Sequence, residues 1–323
     1  MRTPSRTTRA LVASAALALT ATVAAAPPAH GVTSRTTSPY YAPKRSFPMS
    51  VITPAGTIHL KSAPKRIVSL SPTATEILYA IGAGSQVIAV DDDSNYPTKG
   101  LPTTRFNALN PNVEQLVALH PTLVVVSYNP NNLEADLKAA GIPVMEQDAP
   151  KDLKGTTRQI TWLGNATGHY HRSYLVASGD VREIRKDVAL IPRHHRAGSA
   201  YFELSPPPYI YAAASNTYVG QLLKSLGVSN VADPASNASN GGYPSLSDEF
   251  VIAANPKLIF LADTVCCKQS QATVAARPGW STISAVSHHF VIGLNDDIAS
   301  RWGPRVSVLM DDLTRAVLRY DRA

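Results

Sequence analysis

EQLVALHPTLVVV, residues Glu114 to Val126, is the stretch that decides the architecture, because it occurs twice. Glu249 to Leu261 reads EFVIAANPKLIFL, 135 positions later and without a gap. Glu, Ala, Pro and Leu recur at 114/249, 118/253, 121/256 and 123/258, and most other positions stay apolar. A second match lies at nearly the same offset: Leu70-Ser71-Pro72 returns as Leu204-Ser205-Pro206. One large-period duplication implies two similar lobes rather than a solenoid.

Each copy reads helix, proline turn, strand. Leu116 and Leu119 share a helical face, and Pro121 ends the helix. TLVVV and KLIFL are continuous apolar runs of strand length, as suits parallel strands covered on both faces. Working outward, the pattern predicts strands at 66–70, 87–90 and 143–146, with helices at 74–81 and 132–140. The second half adds strands at 200–204, 258–262 and 289–293, with helices near 217–226, 248–254 and 304–320. Such alternation means an α/β fold, each lobe with a mostly parallel sheet. Between them RSYLVASGDVREIRKDVAL (172–190) carries a helical pattern of about five turns. One long connecting helix restrains hinge bending and leaves a cleft between the lobes.

The expected boundaries are a signal peptide at 1–31, a flexible tether at 32–57 and an N-terminal lobe at 58–151. The connecting helix region is 152–191 and the C-terminal lobe 192–323. Arg2, Arg6 and Arg9 precede the apolar ALVASAALALTATVAAA, and small residues follow at Ala24, Ala26, Ala29 and Gly31. That is the pattern of a secretory signal, with an uncleaved anchor as the alternative. The expected location is extracytoplasmic: periplasmic, cell-surface or secreted. No Cys lies near the cleavage zone to take a lipid. Removing residues 1–31 takes three arginines and no acid, lowering the formal charge from +7 to +4. That is too mild for a nucleic-acid partner. The chain reads as a monomer. At 44% hydrophobic and 16% charged residues, it can bury real cores.

In open α/β sheets, ligands sit beyond the carboxyl ends of the strands. Ser71-Pro72 and Ser205 occupy such ends, one turn per lobe, and are candidate ligand contacts. Tyr96, Tyr128 and Asn129 are expected on the N-lobe rim, and Tyr209 and Tyr211 on the opposite one. Aromatic rims with a few polar groups suit a large, flat, partly apolar ligand. Asp91-Asp92-Asp93 reads as a capped turn at a strand end. Cys266 and Cys267 are adjacent, so they cannot staple distant segments. They are either thiols or a vicinal disulfide near the cleft.

PKRIVSLSPTATEILYAIGAGSQVIAVDDDSNYP (Pro64–Pro97) resembles the opening of the solute-binding proteins of vitamin B12 and ferric-siderophore ABC importers. NPNVEQLVALHPTLVVV, LSDEFVIAANPKLIFLAD, RPGWSTISAV and DDIASRWGPRV follow in the order of that family, and the likeness spans about 58–320. The resemblance implies two Rossmann-like lobes, a rigid interlobe helix, a ligand between the lobes and docking on a permease through one acid per lobe. It places Glu76 as the N-lobe acid, a residue that also fits a capping box with Thr73. On the C-lobe the family's Glu falls on Asn216, leaving Glu203 as the substitute. Asp297 and Arg301 match the loop that cobalamin binders place against the corrin side chains. A salt bridge from Arg301 to Asp296 or Asp297 is the structural alternative, and Trp302 is either core or a stacking surface.

The implied function is delivery of a metal chelate, cobalamin or a ferric siderophore, to an ABC importer, with no intrinsic cofactor. Haem or a free metal ion is the alternative cargo, the latter through His194-His195 or His288-His289. A secreted hydrolase is disfavoured: no G-x-S-x-G elbow is present, and no catalytic or metal-ligating residue is assigned.

Overall fold

The computed structural model describes residue 44, residues 46–53 and residues 56–323. The expected signal peptide and most of the expected tether lie outside them.

The first described element is a hairpin of β1 (Met49–Thr53) and β2 (Gly56–Leu60), paired from Met49–Leu60 to Thr53–Gly56. It corrects the expected tether, which was to run to residue 57. The alternation of Met49 and Val51 against Ser50 and Ile52 puts one face of the hairpin into the N-lobe core.

The N-lobe sheet follows. Its elements are β3 (Ile67–Leu70), α1 (Pro72–Ala80), β4 (Val87–Asp91), β5 (Arg105–Phe106), α2 (Val113–Ala118), β6 (Leu123–Val126), α3 (Leu133–Ala139) and β7 (Val144–Glu146). All five strands are parallel, in the order β5-β4-β3-β6-β7. The apolar run of β6 is apolar because both faces are covered. Leu123 and Val125 join the core under α1, while Val124 and Val126 join the core under α2 and α3.

Two helices connect the lobes: α4 (Leu153–Thr167) and α5 (Tyr170–Leu190). The expected long helix is α5, and α4 precedes it as a separate arm ending on the left-handed Gly168. α4 packs on α1 and β1 of one lobe and α6 of the other, and α5 packs on α11 of the C-lobe.

The C-lobe comprises β8 (Ser199–Ser205), β9 (Ile210–Ala212), α6 (Tyr218–Ser225), β10 (Ser229–Asn230), β11 (Ser245–Leu246), α7 (Asp248–Ala254), β12 (Leu258–Leu261), α8 (Gln271–Ala275), α9 (Ser284–Ser287), β13 (Val291–Gly293), α10 (Asp296–Ser300) and α11 (Val306–Arg322). β10, β12 and β13 run parallel to β8, whereas β9 pairs antiparallel with both β8 and β11 and is the one strand of this sheet reversed among those described. The duplication is therefore true of α2-β6 and α7-β12. The second Leu-Ser-Pro leads into a hairpin rather than a helix.

Candidate functional site

The N-lobe chain leaves β3 toward β4 on one side and later places β6 on the other. A crevice opens at that switch point, beyond the carboxyl ends of β3 and β6. Ser71 caps α1 there by accepting from Ala74 N at 3.2 Å, and Pro72 fills the first helical position. Behind it Ser69, Thr75 and Ser94 form a buried hydroxyl cluster, with Oγ–Oγ separations of 2.9 and 2.8 Å. The cluster ends on the Asp91 carboxylate, 2.6 Å from Ser94. Burial raises the Asp91 carboxyl above its ordinary value even so.

A cavity of about 420 Å³ lies between the lobes. Its N-lobe wall is Ser71, Pro72, Thr73 and Ser127 with Asp92, Asp93 and Asn95. Its C-lobe wall is Asp297, Ser300, Arg301 and Trp302. A groove of about 540 Å³ lies along β2, α3 and β7 and includes Asn129, but it belongs to the N-lobe alone.

The floor of the cleft is an ionic clasp across the lobes. Arg301 is buried and makes four hydrogen bonds. One guanidinium nitrogen reaches Glu76 (2.9 Å) and Asn95 (2.8 Å), and the other reaches Asp297 (2.6 Å) and the Asp93 carbonyl (2.9 Å). Arg305 grips the same Glu76 from its other side, with Nε at 2.8 Å, and stacks over the Tyr96 ring at 4.3 Å. Asn95 closes the loop by donating to Asp297 at 2.9 Å. Trp302 donates to Gln159 of α4 at 2.9 Å and meets the Tyr218 ring edge-on.

This geometry changes several sequence expectations. Glu76 is buried between two arginines, so it presents no carboxylate to a partner. It does not form the capping box with Thr73 either, because Ser71 is the cap. Glu203 is fully buried and ion-paired with Arg277 at 2.6 Å, with the Tyr201 hydroxyl donating at 3.1 Å. Neither acid is a docking surface. Beside Glu203, burial and that carboxylate push Asp263 up to about 8.

Of the candidate ligand contacts, Ser71, Pro72, Asp297, Arg301 and Trp302 line the cavity, and the remainder do not. Tyr96 is committed to Arg305, Tyr128 donates to the Ala108 carbonyl at 3.3 Å, and Asn129 accepts from Glu134 N. Ser205 ties the β8–β9 hairpin through the backbone of Tyr209 and Tyr211, whose rings are exposed. Cys266 and Cys267 are exposed free thiols.

Sequence reasoning missed Asp92, Asp93, Asn95, Ser127, Ser300 and Arg305. The signal for the first two was present in the acidic run. Asp91 does cap the turn, accepting from Asp93 N at 3.0 Å, and the next two aspartates form the wall.

The family model for periplasmic binding proteins matches residues 67–298. The chain belongs to that family. The chain is 31% identical to an uncharacterized ABC transporter substrate-binding lipoprotein, YvrC, of Bacillus subtilis, over 80% of the chain and 82% of the relative. It is 29% identical to a vitamin B12-binding protein of Vibrio cholerae, over 75% and 84%. Among solved structures, the periplasmic haem-binding protein RhuT of Roseiflexus superposes with a TM-score of 0.69 at 27% identity, covering 80% of this chain and 99% of that one. The chain is thus a two-lobed binding protein, and the cavity floored by the Arg301 clasp is its candidate solute site.

Proposed function

We propose that this protein captures a corrinoid between its lobes outside the cytoplasm and delivers it to an ABC importer. The observation that carries the choice of cargo is the charge of the cleft. Among the described residues lining it, three aspartates face one arginine, and that arginine is already neutralised by Glu76 and Asp297. Haem propionates or a ferric catecholate would bring negative charge against Asp92 and Asp93, where like charges repel. A corrin ring brings neutral amide arms. Their N–H groups suit the carboxylates and their carbonyls suit Ser71, Thr73, Ser127 and Ser300. Trp302 offers a flat apolar edge. The names of the cobalamin and vitamin B12 binders among the relatives agree with this reading.

A corrinoid is larger than the cavity of about 420 Å³, so the lobes part to admit it. Tryptophan quenching with cyanocobalamin, corrected for absorbance, tests the reading, with ferric hydroxamate, ferric catecholate and haem in parallel. Saturable binding of cyanocobalamin is expected, weakened about tenfold or more by Arg301→Ala through loss of a charge-assisted contact. Tight binding of haem or the catecholate with no response to cyanocobalamin would overturn it.

For the importer, the docking acids are reassigned to Glu114 and Glu249. Both are exposed, both stand in the first turn of duplicated helices, and they are the same position of the repeat. A helix that precedes a parallel strand starts at the level of the strands' carboxyl ends, so each acid flanks the mouth of the cleft from its own lobe.

A further inference from the structure

The turn that leaves β12 runs from Asp263 to Lys268 and carries Cys266 and Cys267, both exposed. It is also the cradle of one carboxylate. Asp296, the first residue of α10, accepts from Val265 N at 3.0 Å, from Cys266 N at 2.8 Å and from the Thr264 hydroxyl at 2.9 Å. Burial works against the Asp296 charge, yet these donors hold its carboxyl below the ordinary value. The Cys266 thiol lies in hydrogen-bonding reach of both Cys267 and Asp296, and burial together with these two neighbours pushes it up to about 12. Cys267 N is anchored in turn on the Asp263 carbonyl at 3.2 Å, and the turn closes on Lys268 with φ of +56°. Directly after Asp296 comes Asp297, which holds Arg301.

We propose that Cys266 and Cys267 form a thiol–disulfide modification site whose oxidation loosens the Asp296 cradle and, through α10, the Arg301 clasp. The partner is a disulfide oxidant of the extracytoplasmic space, either a small molecule or a protein dithiol in its oxidised form. Cys267, whose neighbour holds the raised thiol, attacks a sulfur of the oxidant as the thiolate, forming a mixed disulfide and expelling one thiol. The second cysteine thiolate then attacks the first cysteine's sulfur and expels the other thiol. The pair loses two protons and two electrons, and the oxidant is reduced to two thiols. The ring that closes contains the 266–267 peptide itself. Its closure re-sets the torsions on both sides of that peptide. The Cys266 N–H bonded to Asp296 and the Cys267 N–H bonded to Asp263 cannot both keep their geometry.

This deepens the reading of the interlobe cleft as the ligand site, but its test needs no ligand. The purified protein is poised between reduced and oxidised glutathione, and its thiols are counted alongside its intact mass. Backbone hydrogen exchange is then compared between the two forms. The expected result is loss of both thiols in a monomer lighter by two hydrogens. Exchange should become several-fold faster across 264–267 and 296–301, with the β3 region unchanged. Cys266→Ser and Cys267→Ser should each abolish the response while keeping the exchange pattern of the reduced protein. Glutathione adducts or linked dimers in place of the internal disulfide would overturn the site. An internal disulfide with unchanged exchange in α10 would overturn the coupling. Because cyanocobalamin is absent from this experiment, a failure of the corrinoid reading shows separately.

Discussion

Glu76 sits between two guanidinium groups supplied by a segment more than two hundred positions away, with its side chain 1% exposed. Removing it leaves Arg301 and Arg305 facing each other in a partly dry space. Breaking one member of a buried ionic group costs far more than the net worth of the group, because the survivors stay desolvated. Glu76→Ala is therefore expected to destabilise the protein by about 3 kcal/mol in urea denaturation. A loss below the usual scatter of surface substitutions would show that the clasp is not closed in solution. Asp180 in α5 is the opposite case. One of its oxygens accepts from the Ser307 hydroxyl of α11 at 2.9 Å, and the other has no partner among the described residues. Burial pushes its carboxyl up to about 7, against the Ser307 hydrogen bond. A carboxyl raised in the folded state adds stability below its unfolded value and loses it as pH climbs toward 7, on the order of 4 kcal/mol in all. Asp180→Asn keeps the acceptor for Ser307 and removes the charge. It should be more stable than the parent at pH 8 and show little gain at pH 4. Equal behaviour at both pH values would mean that Asp180 finds compensation for its charge.

At the scale of elements, the reading from sequence succeeds wherever one strand or helix is decided by its own residues. The apolar runs of β6 and β12, the proline stops before them and the amphipathic α5 all fall within a residue or two of expectation. The failures are non-local. The β1–β2 hairpin is short and follows a Ser/Thr/Pro-rich flank, and only its docking on the N-lobe core reveals its alternation. α4 is built from TTRQITWLGNAT, whose β-branched and glycine residues are indifferent helix formers; packing against α5 makes it a helix. Glu76 as the centre of a clasp was equally hidden, since its partners come from the far end of the chain. The cleft residues Ser71, Arg301 and Trp302 were legible because strand ends and a motif mark them. Asn95 and Ser127 were not, because nothing local distinguishes them from loop polar residues. The α4–α5 pair also carries a packing prediction. Gly164 lets the two helices meet, and a β-carbon there would fall 2.0 Å from the Ser173 hydroxyl. Gly164→Ala is expected to cost about 1–3 kcal/mol by overpacking. It should also separate the arms that join the lobes, visible as a lower Tm and a faster-exchanging α5. An unchanged Tm would show that the arms are looser than their packing implies.

Across the whole molecule, the duplication places one exposed acid at the same helix start in each lobe, and the proposed docking on the importer uses both. Glu114 and Glu249 project from equivalent helix starts, where the exposed amides already favour negative charge, and no arginine or lysine is paired with either among the described ion pairs. Exposed carboxylates of this kind contribute little to stability. They are consequently free to steer a basic partner surface, which is what long-range charge does best. Reversing both, as Glu114→Lys with Glu249→Lys, should leave the fold and the cyanocobalamin titration as they were. It should abolish stimulation of ATP hydrolysis by the reconstituted importer. Each single reversal should retain part of the stimulation, and raising the salt should weaken the parent in the same direction. If the double variant still drives the importer at the parental rate, docking runs through another surface. If the double variant instead loses cyanocobalamin as well, the two acids belong to the cleft rather than to its rim.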